Sequence, residues 1–261
     1  MSDTPFPLPE DGVASRLVAA FDADAKIPRA LEALGPVGGR DVVLVDADRG
    51  YRARQLSALG ARVTALVAPV DGEDVAAAED RAAGLREAVA DLGANVRVAV
   101  GDAGATGLPD ACADAVVALW TAYRPPADAA VAEADRILRP GGRLLVVHDY
   151  GRVDHVRAEP AIAEETLAWS RRDGWYLTHG FRVRVIHAFW TFADADEARE
   201  LLAAAFGEAG SALADGLTRP RISHNVAVYH RNRRGEGPSP VVKAGRPRRP
   251  SAQSGPGGGR G

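Results

Sequence analysis

Five short, largely apolar runs, all but the third followed by a turn and a helix-like stretch, limit this chain to very few folds. The runs are DVVLV (41–45), RVTALVA (62–68), NVRVAV (95–100), DAVVALW (114–120) and RLLVVHDY (143–150). A strand apolar at every position belongs between two layers of helices, since a solvated face would be polar at alternate residues. The intervening stretches YRARQLSALG, DGEDVAAAEDRAAGLREAVADLG and PPADAAVAEADRILRPGG read as helices. In the first, Leu56 and Leu59 are core candidates and Gly60 is the stop; Pro140 and Gly141 end the third. Strand and helix alternating at this spacing predict right-handed crossings and a doubly wound, Rossmann-like α/β sheet.

The flanks extend this plan. VASRLVAAFDADAKIPRALEALG predicts one or two amphipathic helices closed at Gly35. In the last third, a helical stretch runs into the irregular RRDGWYLTHG, and DADEARELLAAAFGEAGSALADGL reads as another helix. FRVRVIHAFWTF and ISHNVAVYHR are rich in β-branched and aromatic residues and predict an antiparallel pair at the sheet edge. The expected whole is a seven-stranded, mostly parallel sheet with an antiparallel edge strand. Residues 1–12 read as a flexible Pro-rich start, 13–231 as one domain and 232–261 as a disordered tail of Gly, Pro and Arg. The tail carries a net charge of +6 and the remainder −9, within an overall −3.

Several classes of function are disfavoured. An acidic folded body argues against nucleic-acid binding as the main activity, and no aromatic residue interleaves the tail arginines. No signal-like segment and no long apolar span is present, so a cytoplasmic, membrane-free protein is expected. The single Cys112 leaves no internal disulfide or multi-cysteine metal centre. No metal-ligand pattern accompanies the six histidines, and GxSxG is missing. The partner expected is a small-molecule substrate; the oligomeric state is not legible.

Sheets of this type bind ligands beyond the carboxyl ends of their strands. There stand Asp46, Asp48, Arg49 and Gly50 after the first strand, and Asp71 and Glu73 after the second. Asp102 and Ala103 follow the third, Trp120, Tyr123 and Arg124 the fourth, and His148, Asp149 and Tyr150 the fifth. Carboxylates accept from ribose hydroxyls or an adenine amine, and aromatic rings cover a base. His148 or His187 facing this cleft would be a base near neutral pH. Neither GxGxxG after the first strand nor GxxxxGK[ST] anywhere is present, which disfavours a dinucleotide pyrophosphate. Aspartates in that loop repel phosphate and tolerate a cationic sulfonium or amine.

Two segments then carry a likeness. GDAGATGLPDACADAVVALW (101–120) followed by EADRILRPGGRLLVVHDYG (133–151) resembles the class I S-adenosylmethionine-dependent methyltransferases, closest to the small-molecule group. The resemblance covers roughly residues 37–151, and it implies S-adenosylmethionine as cofactor and methyl transfer to a small molecule. By the same resemblance Asp102 and Ala103 would meet the adenine, and Trp120 and Tyr123 would lie near donor or acceptor. Asp46, Asp48 and Gly50 would border the amino-acid end of the donor. The glycine-rich loop is degenerate, with Gly50 alone retained among 46–50, and the ribose-binding acid falls at Val67. Extra Cβ atoms and a lost acceptor both weaken binding. Either the chain is an active methyltransferase, or it is a non-catalytic relative that serves as a binding or assembly protein. No catalytic residue and no metal site is assigned.

Overall fold

The computed structural model describes residues 12–47, 49–70, 75–120, 122–150 and 160–233. Seven strands form one sheet: β1 (Asp41–Val45), β2 (Arg62–Val67), β3 (Val96–Val100), β4 (Ala113–Leu119), β5 (Leu138–Asp149), β6 (Arg182–Thr191) and β7 (Arg221–Asn232). Their order is β3-β2-β1-β4-β5-β7-β6. The first five in that order run parallel, and β7 pairs antiparallel with both β5 and β6. The late pair therefore sits at the edge, as the sequence implies. The half-exposed outer strand β6 shows why its arginines alternate with apolar residues.

The apolar runs are buried because both faces are covered. Val42 and Leu44 enter one core, while Val43 and Val45 enter the other, the period-two division of a central strand. The first core is closed by α1 (Val13–Ala20), α2 (Lys26–Leu34), α3 (Tyr51–Ala58), α4 (Val75–Ala88) and α8 (Ala195–Asp215). The second is closed by α5 (Asp128–Ile137), α6 (Pro160–Trp169) and the one-turn α7 (Trp175–Thr178). Leu56 is buried and Leu59 packs partly against the same core.

One open alternative is settled and two local expectations change. The amphipathic N-terminal stretch is two helices, because the Asp22 carboxylate turns back to accept the N–H groups of Lys26 and Ile27, both at 2.8 Å. The stretch after Ser170 is not wholly irregular, since α7 lies within it and Tyr176 is fully buried there. Finally, β5 begins at Leu138 rather than after the glycines. The RPGG segment forms a bulge against β4, and a Cβ on Gly142 would stand 2.8 Å from the Arg139 carbonyl. Apart from Gly12, Asn232 and Arg233, the expected flexible start and basic tail lie outside the described residues, and Asn232 belongs to β7. Among the described residues no helix is long and apolar enough to cross a membrane.

Candidate functional site

The order of strand addition reverses between the parallel strands β1 and β4, which opens a crevice at the carboxyl edge of the sheet at that point. Backbone strain gathers there. Asp46, Trp120 and Tyr123 all have left-handed backbones, with φ of 54°, 61° and 62°. Such conformations cost an L-residue roughly 1–2 kcal/mol each and persist only where surrounding structure holds them. Ala47 continues the pairing past Asp46, donating its N–H to the Leu66 carbonyl at 2.8 Å. Asp48 lies outside the described residues.

Gly50 caps α3 with φ of 83°, and a Cβ there would approach Val89 Cγ1 to 2.7 Å. The one glycine retained in this loop is thus required by packing against α4 as well as by its backbone.

After β3, the Asp102 side chain folds its own loop. Oδ1 accepts the N–H groups of Gly104 at 2.6 Å and Ala105 at 2.9 Å. The loop is then fastened to α5, where Glu133 accepts from the Thr106 N–H at 2.9 Å. Arg136 grips the same carboxylate twice, at 2.7 Å each, and also reaches the Leu108 carbonyl. Arg136, and secondarily Thr106, hold the Glu133 carboxyl down at about 2 despite partial burial.

A cavity of about 330 Å³ opens among these ends. Asp46, Asp102 and Ala103 line it together with Arg81, Ala122 and the apolar Ala68–Val70 segment. Oδ2 of Asp102 and the Ala103 N–H have no partner among the described residues. Val67 at the end of β2 is buried, and the next carbonyl, of Ala68, accepts from Arg81 Nη2 at 2.8 Å. The described end of β2 therefore offers no carboxylate, and Asp71 and Glu73 lie outside the described residues. A larger cavity of about 660 Å³ lies against α8, Arg219 and Arg221, away from these strand ends.

Trp120 is not in the lining. Its ring is buried and its Nε1 donates to Asp149 Oδ1 at 2.8 Å. Tyr123 is buried too; burial, and then the neighbouring Asp46 charge, push its hydroxyl pKa up. His148 lies edge-on to Trp169, with ring centroids 4.8 Å apart, and burial and then Arg124 hold it down at about 3. It is neutral at physiological pH. His187 is exposed on β6, its Nδ1 2.8 Å from Asn225 Oδ1. Neither histidine lines the cavity. Burial raises the Cys112 thiol pKa, the reverse of nucleophile activation. Arg81 and the buried Arg52 were not foreseen. Both sit in charged helical stretches that give no local sign of which arginine turns inward.

The methyltransferase-domain family model matches residues 43–146. No curated protein sequence matches the chain significantly. Among solved structures, a SAM-dependent methyltransferase from Aquifex aeolicus is 18% identical, with 82% of this chain and 97% of that one covered at a TM-score of 0.50. A methyltransferase-type protein from Bacillus halodurans is 17% identical, covering 79% and 98%, at a TM-score of 0.51. A geranyl diphosphate methyltransferase in complex with SAM is 21% identical, covering 86% and 92%, at 0.50. At these identities the structures share the fold. The methyltransferase-domain match spans the strand-end loops of β1 to β4 on a sheet of this order, and the chain shares the fold of these methyltransferase structures.

Proposed function

We propose that this protein binds S-adenosylmethionine in the cavity over β1 to β4 and transfers its methyl group to a small-molecule acceptor. The observation that carries this reading is the convergence of Asp46, Asp102 and Ala103 on one cavity at the reversal point of the sheet. The leftover Asp102 oxygen and the Ala103 N–H are an acceptor and a donor side by side, the complement of an adenine edge. Ala68, Pro69 and Ala122 supply apolar surface for a flat base, and the Asp46 carboxylate suits a sulfonium or ammonium group. When bound, the cofactor would supply an electrophilic methyl group. The chain's own residues then need to hold donor and acceptor in line and keep water out.

The rival reading, a non-catalytic relative, is favoured by the buried Val67 where a ribose acceptor would stand. Calorimetric titration with S-adenosylmethionine and S-adenosylhomocysteine decides between the two. Binding is expected, and Asp102→Ala should weaken it at least about tenfold. Absence of both heat and thermal stabilisation at roughly millimolar ligand would remove the enzyme reading and leave the rival.

A further inference from the structure

The cavity of about 660 Å³ against α8 is a groove that the helix makes by folding back on itself. The backbone turns sharply at Gly207, where φ is 60°. A Cβ on Gly210 would collide with the Leu202 carbonyl, so glycine alone permits the two halves to lie this close. Arg199 then fastens the far end, donating to Asp215 Oδ1 at 2.6 and 3.0 Å. Phe206 and Leu213 line the groove together with Leu217, Thr218, Arg219 and Arg221, and the three large apolar residues are only partly buried. Among the described residues neither arginine meets a carboxylate; the Arg221 guanidinium lies over the Phe189 ring, 3.9 Å from its centre.

Such a groove suits an occupant that is apolar in one part and negatively charged in another. Residues 1–11, MSDTPFPLPED, have both properties: Phe6 and Leu8 stand between prolines, and Asp3, Glu10 and Asp11 are joined by no basic side chain. Alternating prolines favour an extended polyproline conformation, so docking such a segment loses little chain entropy. The opposite end of the chain is repelled, since residues 232–261 carry a net charge of +6.

The point of attachment favours the same segment. Phe21, just after α1, bridges Trp190 shortly before α8, whereas Arg16 reaches Glu197 at 3.0 Å and Glu200 at 2.6 Å. Helix α1 therefore runs back along α8, and its start is directed toward Phe206. From Glu200 to Phe206 the helix rises ~9 Å, while an extended segment as long as residues 1–11 reaches ~30 Å.

We propose that residues 1–11 dock in this groove, with Phe6 and Leu8 covering Phe206, Leu213 and Leu217 while the carboxylates meet Arg219 and Arg221. The proposal is independent of methyl transfer.

A nitroxide on Thr4→Cys, in the full chain with Cys112→Ala, reports the contact by NMR. The Leu213 and Leu217 amides should lose at least about half of their intensity, as a tether of about millimolar effective concentration implies. Arg219→Glu with Arg221→Glu should restore most of it. Adding Asp3→Lys, Glu10→Lys and Asp11→Lys should remove it again, because the charges are then complementary once more. No loss of intensity, or a loss indifferent to the charge reversals, overturns the proposal. A loss as large when spin-labelled, isotope-free protein is mixed with isotope-enriched protein lacking the label assigns the groove to a second copy, and the proposal fails. Should the groove variant not fold, reversing the three acids alone must restore the intensity, and its failure to do so overturns the proposal.

Discussion

The Glu133 carboxylate accepts both the backbone N–H and the hydroxyl of Thr106, at 2.9 and 2.5 Å, and so fastens the loop carrying Asp102 to α5. These residues belong to the two segments on which the family likeness rests. The contact explains why they occur together: the helix before β5 supplies the clamp for the loop after β3. Glu133→Ala leaves the Thr106 N–H and Arg136 without that acceptor and should destabilise the fold by about 2–3 kcal/mol, against about 1 for Thr106→Val. Urea unfolding measures both. An Ala variant as stable as the wild type would show that the clamp is dispensable.

The same carboxylate sets an acid limit. Its pKa is depressed to about 2 in the fold, against ~4.3 in an unfolded chain. Its stabilising contribution is therefore fully present above ~4.3 and is lost as pH falls toward 2. Glu133→Gln should flatten the stability–pH curve across that window, and an unchanged curve would refute the assignment.

His148 contributes at higher pH. Its folded value of about 3 lies below the unfolded ~6.5, so the unfolded chain takes up a proton that the native state refuses. Stability is whole above ~6.5 and declines below it by up to about 1.4 kcal/mol per pH unit. In NMR titration the His148 ring should keep its neutral shifts from pH ~7 to ~5, whereas a midpoint near ~6.5 would show an accessible ring.

Gly50→Ala introduces a Cβ 2.7 Å from Val89 Cγ1 at a φ of 83°. A loss of about 1–3 kcal/mol follows from the overpacking and the backbone strain together. Thermal melting of the apo protein tests it, since the effect requires no ligand.

Trp120→Phe keeps the ring but removes the Nε1–H that the buried Asp149 accepts. Leaving a buried carboxyl oxygen without its donor costs about 1–3 kcal/mol. Because the smaller ring also leaves a void, a double-mutant cycle with Asp149→Ala isolates the bond, and a coupling energy near zero would show a packing role alone.

The sequence by itself determined the sheet. Runs such as VVLV (42–45) and AVVALW (115–120) are apolar at every position, and only a strand covered on both faces satisfies them. It also put Asp46, Asp102 and Ala103 on one edge, because a parallel sheet delivers all its strand ends to the same side. Tertiary structure decided which of those residues share a cavity. Trp120 ends its strand like the others, yet a left-handed turn and the Asp149 carboxylate draw its ring into the aromatic cluster around Phe21. His148, one residue before Asp149, is sealed against Trp169, whose helix follows it in the chain. No local pattern marks Arg52 or Arg81 among their charged neighbours. Burial of an arginine is settled by what packs against it, here a phenylalanine about thirty residues earlier and a tryptophan nearly seventy later. Strand ends are fixed by local pattern, whereas the direction of a side chain at a strand end depends on elements that the local sequence does not contain.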